Sequence, residues 1–244
     1  MSHMHIPDGV FPIWLALTGW VITFAVLSFC LMKVKNLNLE HKVPLIGIVS
    51  ALMVVGMTLE IVPIGYHVNL GVIAGIVLGP YLAFIAVFIV DLIIAMFGHG
   101  GITVVGLNSL VVGAEAVLGF YLFRVFWGGL NNGRLSAGLS SALAALSSLV
   151  LSSALMVGLV YASQVSPEGI MYKNEQSSDY KILSQRPLGR HEKHLEQDKI
   201  DIERFAKTVF FLGVFGWTLE SVITGLVIGY ISRVRPDLIL STVT

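Results

Sequence analysis

The stretch LGVIAGIVLGPYLAFIAVFIVDLIIAMF, residues 70–97, decides how this chain is threaded. As a single α-helix its 28 residues would extend about 42 Å, well beyond the ~30 Å hydrocarbon core of a bilayer. Gly79-Pro80 stands in its middle, and proline there removes a helix hydrogen bond and collides with the preceding turn. One tilted helix gives six membrane crossings; two short spans joined at Gly79-Pro80 give seven. The span before Gly79 is short for a full crossing.

The rest of the sequence sets the class. Of 244 residues, 55% are hydrophobic and only 12% charged, with a mean hydropathy of +0.84. Such a composition belongs to a polytopic membrane protein. Apolar runs long enough to cross occur at Phe11 to Met32, Val43 to about Val62, Ile102 to Trp127, Leu135 to about Ser163 and Phe205 to Ser232. The expectation is an all-α integral membrane protein forming one membrane-embedded domain over residues 1–244. Net charge is zero and no basic block is long enough to bind nucleic acid. The single cysteine, Cys30, lies within an apolar run and is read as a packing residue.

Charge placement chooses seven crossings. With the N-terminus outside and the C-terminus cytoplasmic, Lys33, Lys35, Lys42, Arg124, Arg134, Arg233 and Arg235 all fall on the cytoplasmic side. The short outer segments, Met1 to Val10, Pro63 to Asn69 and Gly98 to Gly101, carry no lysine or arginine. That is the positive-inside pattern. Gln164 to Arg204 then forms an external polar loop, its seven lysines and arginines balanced by eight acids. It lacks apolar periodicity and reads as flexible, with His191 and His194 solvated.

This threading gathers His5 and Asp8, then His67, then His99 on one face. A lone histidine at a membrane interface ordinarily serves as a hydrogen-bonding residue. His5 differs, because it follows Met4. If Met4 is the first residue, its amine, the His5 amide nitrogen and the His5 Nδ1 can bind one metal through a five- and a six-membered chelate ring. Another imidazole, such as that of His67, would complete four nitrogens in a square. Square-planar nitrogen coordination points to Ni(II) or Cu(II), whereas zinc takes a tetrahedron. Nothing basic precedes the first apolar run, so no cleaved signal peptide is expected. Met1-Ser2-His3 resembles the remnant of a cloning site. As an extension it would block the Met4 amine, while Met1, Ser2 and His3 could form a nitrogen chelate of their own.

Asn108 and Ser109 could hydrogen-bond groups around a ligand. The acids Glu60, Asp91, Glu115 and Glu220 lie in or near apolar spans, where carboxyl groups are costly and hint at function. For Glu115 and Glu220, pairing with a polar group of a neighbouring helix is at least as good a reading as contact with substrate. Rows of small residues, Gly71, Gly75 and Gly79, then Ser140, Ala144 and Ser148, allow close helix approach. Internal packing is favoured for them over docking of another subunit. No GxxxxGK[ST], HExxH or GxSxG motif occurs, so neither ATP hydrolysis nor an enzyme is expected.

The motifs MHIPDG, GYHVNLG, GP ahead of an acid-containing helix that ends in FGHGG, and GLNSL together resemble the CbiM/NikM family. Its members are nickel and cobalt substrate-capture subunits of energy-coupling factor transporters. The likeness is specific from Met4 to about Val125 and continues as hydropathy beyond. It implies a seven-helix protein of a prokaryotic cytoplasmic membrane whose N-terminus folds into an outer pocket. The implied ligands are Met4, His5 and His67; Asp8, His99 and Asn108 are this sequence's own candidates to surround them. Ni(II), or alternatively Co(II), is the transported substrate, and no organic cofactor is implied. The implied partners are a transmembrane coupling subunit and two ATP-hydrolysing subunits, with a small accessory membrane subunit as a further candidate, all set in membrane lipid. The rival reading is an autonomous proton-coupled secondary carrier or channel, for which Gly79-Pro80 and the buried acids would serve.

Overall fold

The structure, a computed structural model, describes residues 11–35, 42–58, 67–98, 100–130, 134–163 and 202–243. Among these the regular elements are all helices: α1 (Ile13–Val34), α2 (Val43–Thr58), α3 (Gly71–Leu78), α4 (Pro80–Met96), α5 (Val105–Gly129), α6 (Arg134–Ser163), α7 (Ile202–Val234) and α8 (Pro236–Val243). The expected all-α class holds. α1, α5, α6 and α7 are long and apolar enough to cross a membrane, while α2 and α4, with 16 and 17 residues, are shorter apolar helices.

The chain breaks where Gly79-Pro80 requires. Gly79 adopts φ 82°, a region that glycine enters without steric cost. Pro80 then begins α4 at its first helical position, where a missing N–H costs nothing. The third expected span, short already in the sequence, is a helix too brief to cross a bilayer by itself. α3 has only eight residues, about 12 Å of rise. It is led in by the non-helical residues 67–70. Irregular backbone at membrane depth persists only when protein encloses it; Val68 and Asn69 of this stretch are buried, as are all eight residues of α3.

Burial is distributed as a lipid solvent demands. Ile13, Leu17, Val21, Phe24 and Leu31 of α1 point outward, whereas Asn69, Asp91, Glu115 and Glu220 lie inside. Lipid tails are as apolar as leucine, so close packing and internal hydrogen bonds hold such a bundle together. A Cβ at Gly75 would overlap the backbone carbonyl oxygen of Ala116, and one at Gly138 would lie 2.9 Å from that of Gly225. These glycines let α3 approach α5, and α6 approach α7, backbone to backbone. Ser140, Ala144 and Ser148 are fully buried in α6, so the second small-residue row packs inward. Cys30 is buried as a packing residue.

α1 is tied to α5 at two places. Thr23 donates to the carbonyl of Gly106 at 2.7 Å, and Trp20 Nε1 donates to that of Thr103 at 2.9 Å. The segment between α4 and α5 is thereby anchored to the helix that follows the N-terminal residues. Hydropathy does not mark α8 as a separate element. Pro236 begins it, and Arg235 holds Asp237 across the junction at 2.9 Å on the exposed surface.

Candidate metal-binding site

Of the expected ligands, His67 lies among the described residues. It is half-buried, its Nδ1 atom is enclosed, and it stands three residues before the left-handed turn at Leu70. Asn108 is also described, buried in the first turn of α5, where its N–H donates to the carbonyl of Val104 at 3.0 Å. Met4, His5, Asp8 and His99, with the alternative chelate Met1, Ser2 and His3, lie outside the described residues. So do residues 164–201 of the polar loop and Glu60. Among the described residues no three His, Cys, Asp or Glu side chains cluster as a metal site.

The structure does bring together a polar network immediately beside His67. Asn69 Nδ2 donates to both oxygens of Glu115 on α5, at 2.9 Å and 3.0 Å. Ser152 Oγ on α6 donates to Glu115 Oε2 at 3.1 Å. The Leu70 N–H donates to Glu220 Oε1 on α7 at 3.2 Å. The Gly71 N–H donates to Asn69 Oδ1, closing an Asx turn. Glu115 and Glu220 thus accept from the adjacent residues Asn69 and Leu70. Two carboxyl groups at this depth are tolerable because side-chain and backbone donors converge on them. The N-terminal end of α3, with the positive partial charge of its first N–H groups, faces the same pair.

Depth follows from the helix that bears Glu115. It lies ten residues beyond Val105, about 15 Å along α5. The residues that follow His67 therefore descend well into the bundle. Leu70 supplies the turn at φ 58°, ψ 17° and is the one non-glycine residue with positive φ among those described. A branched side chain rarely adopts that conformation.

The sequence marks Glu115 and Glu220 as intramembrane acids with two open readings, and their partners here prove to be protein groups. It does not mark Asn69 or Ser152. Asn69 stands within GYHVNLG beside His67, a signal of sorts; Ser152 is one of several serines on α6 and carries none.

Comparison with known proteins gives consistent results. A profile described as "CbiM: Cobalt uptake substrate-specific transmembrane region" matches residues 5–238. A "Putative fused nickel transport protein NikMN" of Archaeoglobus fulgidus is 32% identical over 126 residues, covering 50% of this chain and 42% of that protein. A "Putative metal transport protein" of Haloquadratum walsbyi is 33% identical over 128 residues, covering 50% of this chain and 59% of that one. The matched stretches thus span about half the length of these curated relatives. Among solved structures, one described as a transition metal transporter aligns over 97% of this chain and 96% of its own, with TM-score 0.64 and 22% identity. A truncated transition metal transporter aligns over 94% and 98%, with TM-score 0.63 and 21% identity. At these identities the likeness concerns the fold.

Proposed function

The chain belongs to the CbiM family of cobalt-uptake substrate-specific transmembrane regions, and from that premise we propose that it captures Ni(II), with Co(II) as the alternative ion, at the outer face of a prokaryotic cytoplasmic membrane. Capture is binding and involves no covalent chemistry. The Met4 amine, the His5 amide and imidazole nitrogens and the His67 imidazole supply four nitrogens around the ion. The loop from His99 to Gly101 closes over it, with Asp8 and Asn108 as further polar groups around the ion. Energy comes from elsewhere: no phosphate-binding loop is present in the sequence. A transmembrane coupling subunit and two ATP-hydrolysing subunits release the ion inward, and a small accessory membrane subunit is a further candidate.

The observation that carries this reading is His67 at the head of a buried, hydrogen-bonded segment that enters the bundle. A broken helix held in protein at membrane depth is the kind of element that membrane transporters use to build substrate sites. The break at Gly79-Pro80, with two buried carboxyl groups at the opposite end of α3, also suits a secondary carrier. Ni(II) uptake into vesicles by this chain alone, without ATP, would select that alternative.

The test is titration of Ni(II) into purified protein beginning at Met4, alongside the form that carries Met1-Ser2-His3. The protein beginning at Met4 should give a yellow, diamagnetic, one-to-one complex, abolished by His5→Ala and weakened by His67→Ala. Unchanged binding after loss of both histidines would remove the ligand assignment.

A further inference from the structure

His67 is not mounted on a regular element. It opens the four-residue stretch His67–Leu70, which enters the bundle and passes into the first turn of α3. An imidazole on such a stretch sits wherever the adjoining backbone is fixed. Side chains of three helices do the fixing: Glu115 of α5 accepts twice from Asn69, Ser152 of α6 donates to Glu115, and Glu220 of α7 accepts the Leu70 N–H. Leu70 keeps its left-handed conformation at the point where these bonds end, a strained geometry that persists only when the surroundings over-determine it.

We infer that Glu115 and Glu220 are positioning residues for His67, setting where its imidazole meets the captured ion while making no contact with the ion themselves. The inference rests on the proposed ligand role of His67. A planar nitrogen set accepts its fourth member only in the plane, and a ligand displaced by more than about 0.5 Å loses productive geometry. The three N-terminal nitrogens would remain, so a loosened His67 weakens binding and does not abolish it. Glutamine at position 115 keeps the shape but offers a single acceptor oxygen. Asn69 Nδ2 and Ser152 Oγ, which now use both oxygens of the carboxylate, would then compete for it.

The experiment is Ni(II) titration of protein beginning at Met4, otherwise wild type or carrying Glu115→Gln or Asn69→Ala, each repeated in a His67→Ala background. Helical circular dichroism and detergent melting verify folding. With His67 present, Glu115→Gln should weaken Ni(II) binding about tenfold, in the range found when partners that orient metal ligands are removed, and should shift the ligand-field absorption band. Without His67, the same substitution should change affinity less than about twofold, since only the orientation of that ligand is at stake. Asn69→Ala leaves both carboxyl groups in place while cutting the link, and should behave alike; it carries the comparison if Glu115→Gln does not fold. Wild-type affinity in the folded variants, or an equal loss with and without His67, overturns the inference. If His67→Ala itself binds like wild type, the ligand assignment falls first and the inference with it. The two failures are thereby told apart.

Discussion

Asn69 Nδ2 stands 2.9 Å from one carboxylate oxygen of Glu115 and 3.0 Å from the other, across 46 residues of sequence. That contact joins the stretch bearing His67 to the middle of a long membrane helix. It makes the interior of the bundle part of the candidate site.

Glu115→Leu should lower stability more than Ser152→Ala does. Leucine leaves Asn69 Nδ2 without either of its Glu115 acceptors inside the bundle, and a buried unsatisfied donor costs about 1–3 kcal/mol. Ser152→Ala removes one donor of several, a loss of about 0.6 kcal/mol by the average for interhelical bonds in membranes. Denaturant unfolding in detergent micelles should rank the two variants in that order. Equal losses would mean that the network does not act as drawn.

Gly75→Ala should unfold or severely weaken the protein, because the new methyl group would meet the backbone carbonyl of Ala116 and not a movable side-chain tip. Overpacking of this kind costs about 1–3 kcal/mol or more. Gly158→Ala on α6 is the control, with open space at its Cβ. It should be neutral or stabilising by up to ~1 kcal/mol, since alanine is the better helix former. Melting temperatures of the two proteins provide the comparison.

Gly79→Ala tests conformation alone. Nothing lies within 4 Å of the place its methyl group would occupy, yet φ is 82°, so the cost should be backbone strain of about 1–3 kcal/mol. A variant as stable as wild type would show that the break between α3 and α4 tolerates another geometry.

Sidedness can be read with thiol reagents. Cys30 is buried, so the native protein should label poorly in intact membranes. Lys35→Cys should react with a membrane-impermeant reagent only from the cytoplasmic side. Ile102→Cys, at a position 54% exposed, should react only from outside. The opposite pattern would invert the topology obtained from charge placement.

Much of the fold is legible in the sequence. The break at Gly79-Pro80 shows in two adjacent residues, because glycine and proline constrain the backbone locally. The buried acids also stand out, since carboxyl groups are rare in apolar spans. Their partners do not. Ser152 meets Glu115 over 37 residues and Leu70 meets Glu220 over 150, and nothing local in a sequence marks such pairs. α8 is hidden for another reason: Pro236 follows Arg235 where the last span runs out and reads as a stop, although proline is also a favoured first residue of a helix. For the candidate site, His67 and Asn108 are named by their motifs, but the turn at Leu70 is invisible, because leucine gives no hint of a left-handed backbone.

The enclosure of α3 also bears on biosynthesis. Eight apolar residues are too few to lodge in a bilayer unaided, and the carboxyl group that receives the Leu70 N–H belongs to a helix synthesised 150 residues later. This part of the chain must therefore wait, already threaded but unsettled, until α7 has left the ribosome. Truncated nascent chains ending before Glu220 should leave the region around His67 open to protease, and chains extending past α7 should close it.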